Sequence, residues 1–137
     1  MITNKTEYLL LTLINLARRR KADNELISSR TIAEEEKIPL NYMPQLMSIL
    51  TKKGWVESVR GLNGGVRLIA DPKEITVQDV ITVSEDILVI KKCVFDGCSF
   101  GLNNCRLRPL WLEAQKRVDE VMGSTTIEDL LKNSTFQ

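Results

Sequence analysis

The sequence predicts a mainly α-helical protein with one small β-hairpin. Three observations lead there. Apolar residues recur at helical spacing through most of the chain. One stretch, WVESVRGLNGGVRLIA, instead interleaves apolar and polar residues on both sides of a glycine-rich centre. Structure-breaking residues, at Asp23 and Asn24, Gly54, Asp71 and Pro72, and Gly123, fall between these segments.

The first segment, Lys5 to Arg20, places Leu9, Leu10, Leu13, Ile14, Leu16 and Ala17 on one broad face, with Thr12 and Asn15 off it, and reads as a helix packed on a core. Its basic end, Arg18 to Lys21, suits the negative end of a helix dipole; phosphate contact is the alternative use. Ser28 or Ser29 then caps a short helix through Glu36. After a turn at Lys37 to Leu40, a second helix runs from about Asn41 to Lys53, with Met43, Leu46, Met47 and Leu50 inward and Pro44 tolerated in its first turn. Gly54 stops it. Two short helices joined by a tight turn form a helix-turn-helix, and the hairpin that follows, turning near Leu62 to Gly65, is its wing.

Beyond the wing, Thr76 starts a helix through Val77, Val80, Ile81 and Val83, with Glu85 and Asp86 near its end, and Ile87 to Ile90 forms a short apolar link. A long helix is expected from Leu107 to Met122, because Leu107, Leu110, Trp111, Ala114, Val118, Val121 and Met122 share one face. That stripe has no obvious partner upstream, which predicts pairing with a second copy. Gly123 should end the helix, and Ser124 or Thr125 should cap a last short one, Thr126 to Lys132.

Between the link and the long helix lie all three cysteines, Cys93, Cys98 and Cys105, spaced C-x(4)-C-x(6)-C among glycines and asparagines. Three converging thiolates make a soft-metal site for an iron-sulfur cluster or zinc; burial as small apolar residues is the bland alternative. Histidine is absent, so any fourth ligand comes from a carboxylate, water or backbone.

Composition sets bounds on function. At 137 residues, 43% hydrophobic and 27% charged, the chain suits one ordinary domain with a real core. There is no run of about 18 apolar residues, and the N-terminal positive charge follows the apolar run, the wrong order for a secretory signal. A cytoplasmic protein with no membrane partner is expected, where an odd number of cysteines does not read as a disulfide framework. The net charge of +1 is uninformative about nucleic acid, but basic residues gather at Lys52, Lys53, Arg60 and Arg67. An enzyme is not expected: there is no histidine and no nucleophile elbow, and GLNGG in a hairpin is not a phosphate loop.

Assembled, the chain resembles the winged-helix regulators of the Rrf-two (Rrf2) family over nearly its whole length. The resemblance rests on TEYLLLTLINLA, on IPLNYMPQLMSILTKKGWVESVRGLNGGVRLIADPKEITVQDVI, on the three-cysteine segment and on the closing TTIEDLL. It implies a winged helix-turn-helix DNA-binding domain over residues 1–86, a cluster-binding loop over 87–106, and a dimerisation helix with a short terminal helix over 107–137. By position, Cys93, Cys98 and Cys105 match the ligands of the cluster-binding members. Some members add a histidine three residues after the last cysteine, but Arg108 stands there and stays protonated. Others use a carboxylate from the first helix of the other subunit, matched here by Glu7, with water or a small molecule as the competing ligand.

The same resemblance places Asn41, Tyr42 and Gln45 in the major groove, where the amides of Asn41 and Gln45 suit adenine. Arg60 matches the wing arginine that enters the minor groove, with Asn63 at the tip beside it. Ser29, Lys52, Lys53 and Arg67 would meet phosphates. Pro44 departs from the polar residue many relatives carry. The implied protein is a cytoplasmic homodimer on a double-stranded DNA operator. It would sense iron-sulfur status, redox stress or nitric oxide through a two-iron two-sulfur or four-iron four-sulfur cluster. The rivals are a cluster-free thiol redox sensor and an iron-sulfur carrier or scaffold that has lost DNA binding.

Overall fold

The structure, a computed structural model, describes residues 1–91, 94 and 106–132. Cys93, Cys98 and Cys105 lie outside the described residues, as do 133–137. The core forms around helix α1 (Asn4–Ala22), which packs against four further helices and the hairpin. Leu9, Leu13, Leu16 and Ala17 are buried on it as the periodicity predicts. Thr12 and Asn15 are not off the packed face, however; both are fully buried. Because α1 is surrounded on several sides, its buried arc is wider than one amphipathic stripe.

Burying Asn15 is tolerable because its amide is satisfied. Its Nδ2 donates to Glu35 Oε1 at 2.9 Å and Glu36 Oε2 at 3.1 Å, while its Oδ1 accepts from Arg19 Nε at 2.9 Å. Hydrogen bonds from Asn15 and then Arg19 hold the Glu35 carboxyl below its ordinary range. The basic end of α1 is thus largely used within the fold, since Arg19 and Arg18 face Glu35 and Lys21 pairs with Glu128 at 2.5 Å.

Helix α2 (Ser29–Glu36) is capped by Ser28, whose Oγ accepts from Thr31 N, and it ends at Lys37 in the left-handed region at φ 57°. The following helix departs from expectation at its start. Asn41 and Tyr42 lie in a 3-10 turn, Leu40–Tyr42, and α3 proper spans Met43–Lys53. Pro44 has no N–H to give the Leu40 carbonyl, so Met43 N–H bonds Leu40 O instead and the chain tightens there. Gly54, at φ 83°, closes α3.

Strands β1 (Val56–Val59) and β2 (Gly65–Leu68) pair antiparallel with Val56 opposite Leu68 and Glu57 opposite Arg67. Ile27 bridges to Val66 through two backbone bonds of 3.0 and 2.8 Å, which fastens the wing to the start of α2. After a 3-10 turn at Pro72–Glu74 comes α4 (Val77–Val83), opened by a Thr76/Asp79 capping box.

Helix α5 (Arg108–Ser124) leans on α4 and α6 (Ile127–Lys132) docks on α1. Gly123 does not end α5: a helical glycine costs only about 1 kcal/mol, and Ser124 Oγ bonds back to Glu120 O at 2.7 Å. The cap of α6 is Thr126 rather than Ser124 or Thr125, in a reciprocal pair with Asp129 at 3.0 and 3.1 Å. Ile127 is fully buried, so the C-terminal segment completes the core laid down by α1.

One acid-sensitive element follows. Glu128 is 5% exposed, and the hydrogen bond from Lys21 holds its carboxyl below the ordinary 4.5. A depressed folded-state value stabilises the native state at higher pH, and that contribution is lost as pH falls through it. Urea midpoints should therefore stay level from pH 7 to about 5 and decline below 4.5, with a shallower decline in Lys21→Met.

Candidate nucleic-acid interface and the link to the cysteine segment

The helix-turn-helix presents a polar, exposed start to α3. Asn41 and Gln45, four positions apart, are exposed, as is Pro44 between them. Tyr42 is half-buried, and its ring stacks edge-on against Tyr8 with centroids 5.3 Å apart at 68°. That contact anchors the 3-10 turn to α1 and fixes the neighbouring Asn41 relative to the core. Lys52 and Lys53 are exposed in the last turn of α3, and Lys53 Nζ lies 5.7 Å from the centre of the Trp55 ring. Ser29 is half-buried in the first turn of α2, beside the capping Ser28.

At the wing tip, Gly61 has φ 121° and its carbonyl accepts from Gly64 N at 3.0 Å. The turn holds Arg60, Leu62 and Asn63 out in solvent. The two wing arginines are not equivalent. Arg67 Nε bonds Glu57 directly across the sheet, whereas Arg60 has no ion pair among the described residues. A cation committed to an intramolecular carboxylate has less to offer a phosphate, so Arg60 is the freer of the two.

Glu7 is exposed in the first turn of α1, and its carboxylate has no partner among the described residues. No cluster of three or more candidate metal-ligating side chains occurs among the described residues. Cys93, Cys98 and Cys105, the thiol donors expected of a metal centre, lie outside those residues; thiolates with one oxygen donor are a set that would suit an iron-sulfur cluster chemically.

Sequence reasoning missed how the link into the cysteine segment is held. At its start, Asp86 Oδ2 accepts from Thr3 N at 2.8 Å, Thr3 Oγ1 at 2.7 Å and Thr6 Oγ1 at 2.5 Å. Burial pushes the Asp86 carboxyl up, but these donors outweigh it and hold it below its ordinary range. At the other end, Gln115 of α5, 5% exposed, accepts from Ile90 N at 2.8 Å and donates to Leu88 O at 2.9 Å. Polar residues on otherwise apolar faces were the available signal: Thr6 precedes Leu9 by three, and Gln115 follows Trp111 by four.

The sequence profile of the Rrf2 family, described as "Iron-dependent Transcriptional regulator", matches residues 2–133. The chain is 34% identical over 138 residues to the HTH-type transcriptional regulator NsrR of Bacillus licheniformis, covering 96% of this chain and 92% of that protein. It is 30% identical over 133 residues to the HTH-type transcriptional regulator IscR of Vibrio campbellii, covering 97% and 78%. Among solved structures, CymR (YrzC), the global cysteine regulator of B. subtilis, matches with a TM-score of 0.78 at 32% identity over 98% of both chains. Among the described residues, no helix is long and apolar enough to cross a membrane.

Proposed function

The chain belongs to the Rrf2 family of transcriptional regulators, and from that premise we propose a homodimeric DNA-binding regulator that senses iron-sulfur status, redox stress or nitric oxide. The observation that carries this reading is one chain joining an exposed recognition element, Asn41, Gln45 and Arg60, to a three-cysteine segment through a pinned link. Cys93, Cys98 and Cys105 hold the cluster, and Glu7 of the second copy supplies the oxygen donor. When bound, an iron-sulfur cluster supplies a centre whose oxidation, nitrosylation or loss alters the charge and bonding of the three thiolates.

The chain's own residues do the rest. In the DNA complex, α3 lies in the major groove with Asn41 and Gln45 on base edges, Arg60 reaches into the minor groove, and Lys52 meets phosphate. Self-pairing through α5 sets two such units about one helical turn of DNA apart. Support for that pairing is the apolar surface α5 leaves open: Leu107 is 55%, Leu110 56% and Val121 42% exposed. Leu110→Asp should shift sedimentation from dimer to monomer and cut operator affinity at least about tenfold, because two linked half-sites bind far better than one. An unchanged dimer would remove α5 from the interface.

A second reading has its own support. The likeness to the global cysteine regulator suits a thiol sensor in which two of the three cysteines join on oxidation. Anaerobic purification separates the two. Brown protein containing iron and sulfide is the expected result; colourless protein with only zinc, or with no metal and a peroxide-induced disulfide seen by mass spectrometry, would replace it.

A further inference from the structure

Ile87 to Ile90 reads in the sequence as a short apolar link, yet together with Asp86 it is a strut pinned at both ends. Its start is held at the N-terminal end of α1 by Thr3, which precedes the helix, and by Thr6 within it. Among the described residues, its far end is hydrogen-bonded to α5 through one side chain, Gln115. Gln115 uses every polar group it has: Oε1 takes the Ile90 amide, and Nε2 gives one hydrogen to Leu88 O and the other to Asp119 Oδ1 at 2.9 Å. An amide side chain bonding both an N–H and a C=O of one backbone segment imitates a neighbouring strand. The segment gains a fixed register against the helix without joining a sheet.

Asp119 adds a second level of control, since its bond to Nε2 fixes which way the Gln115 amide faces. With the amide turned over, Oε1 would face Leu88 O and Nε2 would face the Ile90 N–H, an acceptor against an acceptor and a donor against a donor. Being buried, the side chain has no water to turn to.

We propose that Gln115 is the positioning residue that locks the strut to the long helix, so that a displacement arriving along the link moves α5 as well as the winged domain. This deepens the sensing reading above and rests on it. Without the clamp the two ends of the strut move independently, and the operator-binding dimer no longer registers the state of the cysteines.

Gln115→Met, which fills the same space without the hydrogen bonds, tests this, with Gln115→Glu as a second variant that keeps an acceptor for Ile90 but loses both donors. In full-length dimer, the Ile90 amide should exchange roughly fivefold faster or more in Gln115→Met, while amides of the α1 core keep their protection. The ratio of operator affinities between cluster-loaded and apo protein, about 5- to 150-fold in the wild type, should collapse toward one while operator binding itself persists. Gln115→Glu should lose the ratio likewise, while its retained acceptor keeps the Ile90 amide protected. An unchanged Ile90 exchange rate in Gln115→Met, or an unchanged ratio in both variants beside a normal wild-type ratio, would overturn the clamp alone. A wild type showing no difference between loaded and apo protein would overturn the sensing reading and this inference together.

Discussion

Gly64→Ala is expected to collapse the wing. A Cβ built there falls 2.1 Å from Val59 O and 2.9 Å from the carbonyl carbons of Val59 and Arg60. All three obstacles are backbone, so no side chain can swing aside. The strands must part, breaking the Gly64 N to Gly61 O bond and moving Arg60 off its tip. Overpacking of this severity costs on the order of 3 kcal/mol. Part of that cost will be escaped by local opening, because the tip is exposed and only the base of the hairpin, at Val56, Val66 and Leu68, is in the core. Operator affinity should suffer more than global stability. A loss of about 5- to 150-fold is expected in anisotropy titrations, matching the 1–3 kcal/mol of a specific arginine contact, with a modest fall in melting temperature. Wild-type affinity in this variant would mean that the wing does not contact the operator.

The recognition helix carries the second large effect. Asn41→Ala and Gln45→Ala should each weaken operator binding by about 1–3 kcal/mol and relax preference at the base pair each one reads. Both side chains are exposed, so melting temperature should barely change, which separates this loss from unfolding. Lys52→Ala should behave differently, weakening all sequences alike and lowering the salt slope by about 0.9. Arg67→Ala should do less than Arg60→Ala, because its guanidinium is already committed to Glu57. Equal losses on specific and random duplexes for Asn41→Ala and Gln45→Ala would displace these residues from the base edges.

Much of this architecture is written in local patterns. The stripe Leu9, Leu13, Leu16, the cap at Ser28, the stop at Gly54 and the turn in GLNGG each depend on a few neighbouring residues, and each stands where those residues imply. What local pattern could not give was three-dimensional context. Thr12 and Asn15 look like a polar edge until α1 is seen to be enclosed, and Asn15 is tolerated inside only because Arg19, Glu35 and Glu36 converge on it. The 3-10 start at Leu40 was available in Pro44, whose missing N–H forbids the bond an α-helix would need there. The Thr126 cap was available in its Thr-x-x-Asp spacing to Asp129.

Around α3 and the wing, the sequence picked out Asn41, Gln45 and Arg60, which are exposed, but not which neighbouring side chains are already committed within the fold. Glu57 and Arg67 are ten positions apart, and only the strand register brings them opposite each other. The strut was hidden for the same reason, since Thr6 and Asp86 are separated by 80 positions and Leu88 and Gln115 by 27. Those contacts fasten the apolar link to α1 at one end and to α5 at the other.

Whether the cysteines govern the grip on DNA is tested most directly by titrating one anaerobic preparation, split into cluster-loaded and chelator-stripped halves, against the same operator duplex at fixed salt. Affinities differing by about 5- to 150-fold are predicted. Superimposable curves from the two halves would contradict the account.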